Sequence, residues 1–298
     1  MEYRILGKSD LEISRIGFGC MSLDPQDPNG ENILHTAMDG GINYFDTADM
    51  YHKGLNESML GRAFQGKRNK LILATKVGNQ WRSDGSGWDW NPSKKYILSS
   101  IDQSLERLQT DYIDLYQLHG GTIEDPIDDV IEAFELLTAA GKIRYYGISS
   151  IRPNVIREYV KRSSIISVMM QYSLLDRRPE EEMLPFLNEN QVGVLARGSI
   201  AKGLLISKPP EAYLNHPVEQ IAKAARAIKD ISYDGRSAES VAIHYVLDHP
   251  SITSVVIGIR TEAQLKDAVD TIYSNSPSKS ELKNLSGSIP VNFYDNYR

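Results

Sequence analysis

The stretch YFDTADMY, residues 44 to 51, starts as an apolar run and ends in Asp46, Thr47, Asp49 and Tyr51. Two other apolar runs end in polar groups as well, with Lys76 in LATK and His119 in YQLH. A phenol, with an ordinary pKa of about 10, is a poor acid at neutral pH unless its anion is stabilised. Lys76 can supply a stabilising ammonium, Asp46 can hold that ammonium charged and oriented, and His119 can hydrogen-bond a substrate oxygen or relay a proton. Together they describe a general acid at Tyr51 aimed at a carbonyl oxygen. Protonating that oxygen helps only if something attacks the carbon. No Ser or Cys nucleophile is placed by motif, so a hydride from a nicotinamide would complete the reaction.

Such a set needs elements that bring four distant residues to one place. After an N-terminal hairpin (YRIL, the turn GKSD, LEIS), eight strand-like apolar runs recur: 15–20, 42–47, 70–77, 112–119, 143–149, 165–171, 192–197 and 254–259. Helical spacing fills the gaps, as in ILSSIDQSLERL after Asn91-Pro92 and VIEAFELLTAAGK ending at Gly141. Strands flanked by helices are buried on both faces, which implies a parallel sheet. Eight such units in 298 residues suit a closed (β/α)8 TIM barrel with the N-terminal β-hairpin capping its bottom, expected as a single domain over 1–298. An open doubly wound sheet is the alternative. Its fingerprint is only approached in GFGCMS, where Ser22 takes the third glycine position and Asp24-Pro25 stands where a helix should open. In a barrel the active site lies at the C-terminal strand ends, where Asp46, Lys76 and His119 fall.

Composition narrows the partners. Lys plus Arg number 33 against 39 Asp plus Glu, without long single-sign runs, so nucleic acid is not expected. The polar N-terminus MEYRILGKSD and the lack of a long apolar stretch lead us to expect a cytoplasmic protein with no membrane partner. The lone Cys20 suits a reducing compartment.

The runs GINYFDTADMYHKGLNESMLGRAF, LATKVG, DYIDLYQLHG, IRYYGISS and VVIGIRTEAQL, in that order, resemble the aldo-keto reductases over nearly the whole chain. The resemblance implies a (β/α)8 barrel, NADPH/NADP+ as cofactor, a small-molecule carbonyl substrate, and a catalytic tetrad on Asp46, Tyr51, Lys76 and His119. It further implies a nicotinamide carboxamide site at Ser149, Ser150 and Gln171, with Ser150 departing from the family's Asn. Arg197 stands where the family often stacks an aromatic residue, and a planar guanidinium can also lie over a ring. The long loop that follows is expected to clamp the cofactor through Gly198, Ser199, Lys202, Gly203 and Leu204. Thr261 and Gln264 form a T-x-x-Q capping box that starts a helix just after Gly258 and Arg260. A helix N-terminus beside an Arg suits a phosphate, and the resemblance assigns it to the adenosine 2'-phosphate, favouring NADPH over NADH.

Substrate contacts are expected from NQWRSDGSGWDWN, a loop that holds Trp81, Trp88 and Trp90; Trp81 and Trp88 are the candidate pocket walls. Each residue also has a plainer reading. Lys76 can be a surface lysine, His119 a structural histidine, Asp46 a turn cap, Arg260 a solvated charge, and the tryptophans loop packing. Glu57 is read as structural, an acid in the first turn of a helix. Among rival functions, a metal site at Asp46, Asp49, His52 and His119 lacks HxH or HExxH spacing. A nucleotide-binding regulatory or redox-sensing subunit of the same fold remains the alternative. A monomer or weak homo-oligomer is expected.

Overall fold

The computed structural model describes all 298 residues. An antiparallel pair, β1 (Tyr3–Ile5) and β2 (Glu12–Ser14), precedes β3 (Ile16–Gly19), β4 (Tyr44–Asp46) and β5 (Ile72–Val77). A second antiparallel ribbon follows, β6 (Asn79–Trp81) and β7 (Trp88–Trp90). Then come β8 (Ile113–Leu118), β9 (Ile143–Ser149), β10 (Ser167–Gln171), β11 (Gly193–Arg197) and β12 (Ile252–Gly258). The helices between them are α1 (Gly30–Asp39), α2 (Leu55–Ala63), α3 (Lys94–Leu108), α4 (Ile127–Ala139), α5 (Pro153–Arg162), α6 (Met183–Glu189), α7 (Val218–Asp230) and α8 (Ala238–Leu247). After β12 the chain ends with α9 (Glu262–Tyr273) and α10 (Lys279–Ser286). The eight parallel strands close in the order β3-β4-β5-β8-β9-β10-β11-β12, so every expected run became a barrel strand. No helix is long and apolar enough to cross a membrane.

The strands read as continuous apolar runs because their two faces feed two cores. Outward residues such as Phe45, Leu73, Tyr116 and Ile148 join the large core under the helices. Inward residues such as Tyr44, Ile72, Leu115, Met169 and Leu195 form a smaller core inside the barrel. Leu6, Leu11 and Ile13 of the hairpin belong to that inner core, which shows the hairpin plugging the barrel bottom. Gly17 is required here, since a Cβ would stand 2.7 Å from the Tyr44 ring that fills the interior.

Local signals place the helices. The Ser93 hydroxyl accepts from the Tyr96 N–H at 3.3 Å and starts α3, one residue after the Asn-Pro pair. Gly141, at φ +72°, turns the chain out of α4 into β9. Residues 79–91 depart from the expected loop. The alternation W-D-W pairs with N-Q-W in the register Asn79↔Trp90 and Trp81↔Trp88, leaving the Gly/Ser/Asp composition to the turn between the two strands.

Candidate active site

Residues two apart on a strand share a face, and the inner core therefore identifies what faces the barrel mouth. Tyr44 leads to Asp46, Ala74 to Lys76, Leu115 to Gln117, Met169 to Gln171, Leu195 to Arg197 and Val256 to Gly258. Tyr145, packed on the same core, leads through Gly147 to Ser149. His119 lies two residues beyond Gln117, its N–H held by the Val77 carbonyl at 2.8 Å. The sequence-derived residues at the strand ends thus meet on one rim because they share a parity with the apolar filling below them.

Lys76, 1% exposed, donates to Asp46 Oδ1 and to the Thr47 carbonyl at 2.7 Å. Its ammonium is 5.2 Å from the centre of the Tyr51 ring. The Tyr51 and His119 rings meet edge to face, 5.7 Å apart at 80°. Asp46 Oδ2 accepts from Gln117 Nε2 at 3.1 Å and from the Tyr44 hydroxyl at 3.4 Å. His119 Nδ1 is buried without a protein partner.

Burial weighs on all four groups, and their neighbours decide what remains. It pushes the Tyr51 phenol above its ordinary value; Lys76 opposes that rise without cancelling it. Lys76 therefore does pull on the phenol as expected, yet the ligand-free Tyr51 stays firmly protonated. Burial also works to discharge Lys76, but the Asp46 carboxylate and Tyr51 more than offset it and hold the ammonium charged. The Asp46 carboxyl is pushed up by burial and drawn back by Lys76, Gln117 and Tyr44. Burial, then the positive charges of Lys76 and Arg197, lowers His119 to about 3, so its imidazole is neutral.

The turn carrying Tyr51 continues the pairing of β4 with β5. Thr47 N–H donates to the Ala74 carbonyl at 2.9 Å and Asp49 N–H to the Lys76 carbonyl at 3.2 Å. Asn56 fastens it from behind, accepting from the Thr47 hydroxyl at 2.6 Å and donating to the Cys20 carbonyl at 2.9 Å. His52, Lys53 and Gly54 then run left-handed at φ +49°, +56° and +87°, swinging the chain into α2. Strain of about 1 kcal/mol or more at each non-glycine position is tolerated here because both flanks are fixed. Glu57 lies under this turn, accepting from Thr75 Oγ1 at 2.6 Å and Arg107 Nε at 2.7 Å. Asp46, Asp49, His52 and His119 do not gather into a metal-binding cluster.

The three tryptophans divide. Trp81 donates to the Met50 carbonyl at 3.0 Å, beside the Tyr51 turn, with the Lys53 ammonium 5.0 Å from its ring. Trp88 stands opposite it in the ribbon and is 48% exposed. Trp90 covers Gly78 and Gly120 and donates to the Asp125 carboxylate at 3.0 Å, which pins the ribbon to the barrel. A Cβ on Gly78 would meet that ring at 2.6 Å.

Around the rest of the rim, Ser149 ends β9 and the Ser150 hydroxyl accepts from the Arg152 N–H at 3.2 Å, a local turn bond. Gln171 donates to the Tyr213 hydroxyl at 2.8 Å, and Arg197 donates to its amide oxygen at 3.3 Å. Gly198, at φ +72°, lies over Gln171. Ser199 and Leu204 are buried, Leu204 in the outer core, so they anchor the loop while Lys202 and Gly203 shape its left-handed turn. Thr261 caps α9 by accepting from the Gln264 N–H at 3.3 Å. The returning bond differs from the expected box: Gln264 Oε1 accepts from the Arg260 N–H at 3.0 Å, not from that of Thr261. Sequence reasoning missed Gln117 and Tyr213. The first was visible as the inward position between Leu115 and His119; the second sits in a stretch without periodicity.

Residues 15–286 match the family model described as the Aldo/keto reductase family. The chain belongs to that family, whose members are oxidoreductases. Along its full length it is 48% identical to the uncharacterized oxidoreductase YqkF of Bacillus subtilis, covering all of both chains. Aldo-keto reductase AKR11C1 from Bacillus halodurans superposes in its holo form with a TM-score of 0.94 at 46% identity, covering 100% of this chain and 99% of that one. Its apo form gives 0.86 at 44% identity over the same shares. Aldo-keto reductase yakc [NADP(+)] of Schizosaccharomyces pombe is 34% identical over 65% of this chain and 60% of its own.

Proposed function

We propose that this chain, acting as one unit over its 298 residues, is an NADPH-dependent reductase of aldehydes and ketones with Tyr51 as general acid. The observation that carries this reading is the Tyr51 phenol at the barrel mouth with the Lys76 ammonium 5.2 Å from its ring and the His119 ring 5.7 Å away, an arrangement in which burial favours the protonated phenol and Asp46 keeps Lys76 charged. Tyr51 passes its proton to the carbonyl oxygen, and the Lys76 ammonium stabilises the phenolate left behind. His119, neutral and hence able to donate from one ring nitrogen, orients the same oxygen. Asp46 keeps Lys76 charged, and water restores the proton of Tyr51.

The remaining rim fits a dinucleotide. Gly19 and Gly258 pair at the ends of β3 and β12 and contribute no side chain of their own there; a Cβ at Gly258 would stand 2.9 Å from Ser22 Oγ. Ser149 and Gln171 would bind the nicotinamide carboxamide, with Ser150 supporting their loop, and the Arg197 guanidinium would lie over the ring. Gly198 to Leu204 would close over the pyrophosphate, and Arg260, with the N-terminus of α9 at Thr261 and Gln264, would hold the 2'-phosphate. The carboxylate of Glu262 is taken up by Asn29 and Asn32, which lessens its repulsion of a phosphate there. When bound, NADPH supplies the hydride for the carbonyl carbon. The higher superposition on the holo form of the Bacillus halodurans enzyme and the NADP(+) in the yeast relative's name support this reading. Trp81, and Trp88 at the ribbon's exposed edge, would line the substrate side.

The test is NADPH oxidation by the purified protein with a panel of aldehydes and ketones, beside Tyr51→Phe. Turnover should fall by about 10²- to 10⁴-fold in the variant with NADPH binding unchanged. Undiminished turnover in Tyr51→Phe would remove the general acid from the reading.

A further inference from the structure

We propose that Gln117 is a positioning residue for the Asp46–Lys76 pair, through the hydrogen bond from its amide to Asp46 Oδ2. The inference rests on the reductase reading above. Gln117 is fully buried inside the barrel, paired in register with Lys76 on one side and Gly147 on the other. Its Nε2 donates to Asp46 Oδ2 at 3.1 Å, while its Oε1 is buried without any partner. An amide free to satisfy itself would not leave that oxygen orphaned. Turning the amide over would point Oε1 at a carboxylate, which is repulsive, so Asp46 dictates the orientation. The two donors divide the carboxylate: Lys76 takes Oδ1, whereas Gln117 and Tyr44 hold Oδ2. Because the Tyr44 contact is long at 3.4 Å, Gln117 is the shorter of the two tethers on Oδ2. With the carboxylate plane fixed this way, Oδ1 faces the ammonium and the ammonium faces Tyr51. An apolar side chain would suit the interior better, so the glutamine serves the pair at some cost to the fold.

Two variants test this in the full-length protein, with steady-state kinetics and NADPH binding followed by fluorescence. Gln117→Leu should lower kcat by about tenfold, the worth of one hydrogen bond to a charged group, with NADPH affinity unchanged and thermal stability no lower than wild type. Gln117→Glu supplies a readout that a merely structural role would not move. Its new carboxyl, buried against Asp46, binds a proton more tightly than usual and, while protonated, donates to Oδ2 as the amide does. Turnover should therefore approach wild type near pH 6 and fall away from it as pH rises and two carboxylates come to face each other. A Leu variant within twofold of wild type, or a Glu variant whose ratio to wild type is constant with pH, overturns the proposal. If Gln117→Leu does not fold, the pH dependence of Gln117→Glu decides alone. Absence of NADPH oxidation by the wild-type protein with every aldehyde and ketone would instead overturn the reductase reading itself, so the two failures are separable.

Discussion

Asp49, two residues before Tyr51, is a buried carboxyl that the proposed chemistry does not use. Its Oδ1 has no partner and its Oδ2 accepts only a long bond, 3.4 Å, from the Tyr96 hydroxyl. Burial, and then the nearby Glu57 carboxylate, raise it to about 8; Arg107, the Met50 N–H and Tyr96 oppose that rise. The buried Tyr116 hydroxyl also faces this cluster. A carboxyl whose folded pKa is raised binds more protons in the native than in the unfolded state, so the free energy of unfolding falls as pH rises. The loss begins near the ordinary carboxylate range and stops once the folded group ionises, about pH 8. At about 1.4 kcal/mol per pH unit, wild type should lose about 4 kcal/mol between pH 5 and pH 8 through this one group. Asp49→Asn keeps the shape and the acceptor for Tyr96 but cannot ionise. Guanidinium unfolding of both proteins at pH 5, 6.5 and 8 gives their stability difference, from which titrations common to both cancel. That difference should grow with pH in favour of the variant. A difference that stays constant from pH 5 to pH 8 would refute the reasoning.

The neutral His119 and the cation at Arg260 can be tested by activity and binding. With His119 lowered to about 3, the kcat profile should show no acid limb near the ordinary histidine range; a limb near pH 6.5 that disappears in His119→Gln would contradict this. Arg260→Ala should weaken NADPH about tenfold in a fluorescence titration and leave NADH unchanged, since only the 2'-phosphate loses a charge-assisted bond. Equal losses for both nucleotides would place Arg260 elsewhere on the cofactor.

The barrel was legible because parallel strands buried on both faces announce themselves as apolar runs, and the eight runs needed no tertiary information. The grouping of Asp46, Lys76 and His119 at one rim was legible because polar residues closing such runs stand out against them. What escaped notice did so for definite physical reasons. Trp88 to Trp90 alternate over too short a stretch to outweigh the Gly/Ser/Asp turn beside them, so a ribbon read as a loop. Tyr213 reaches Gln171 from a segment held by a Tyr213–His216 bridge, which has no signature along the chain. The phenol of Tyr51 was expected to be lowered by its ammonium, but desolvation depends on how much barrel surrounds the ring, and no motif encodes that.

The raised phenol bears on the proposed chemistry in both directions. In the proposed reaction, a protonated Tyr51 beside a charged Lys76 can give a proton to a carbonyl oxygen. Alcohol oxidation asks the same phenol to act as a base, which requires the buried anion that desolvation disfavours. The Lys76 ammonium is the group that moderates this penalty, and its own charge rests on Asp46, whose free oxygen is tied down by Gln117. The proposed acid is thus built from burial on one side and a three-residue chain of hydrogen bonds on the other.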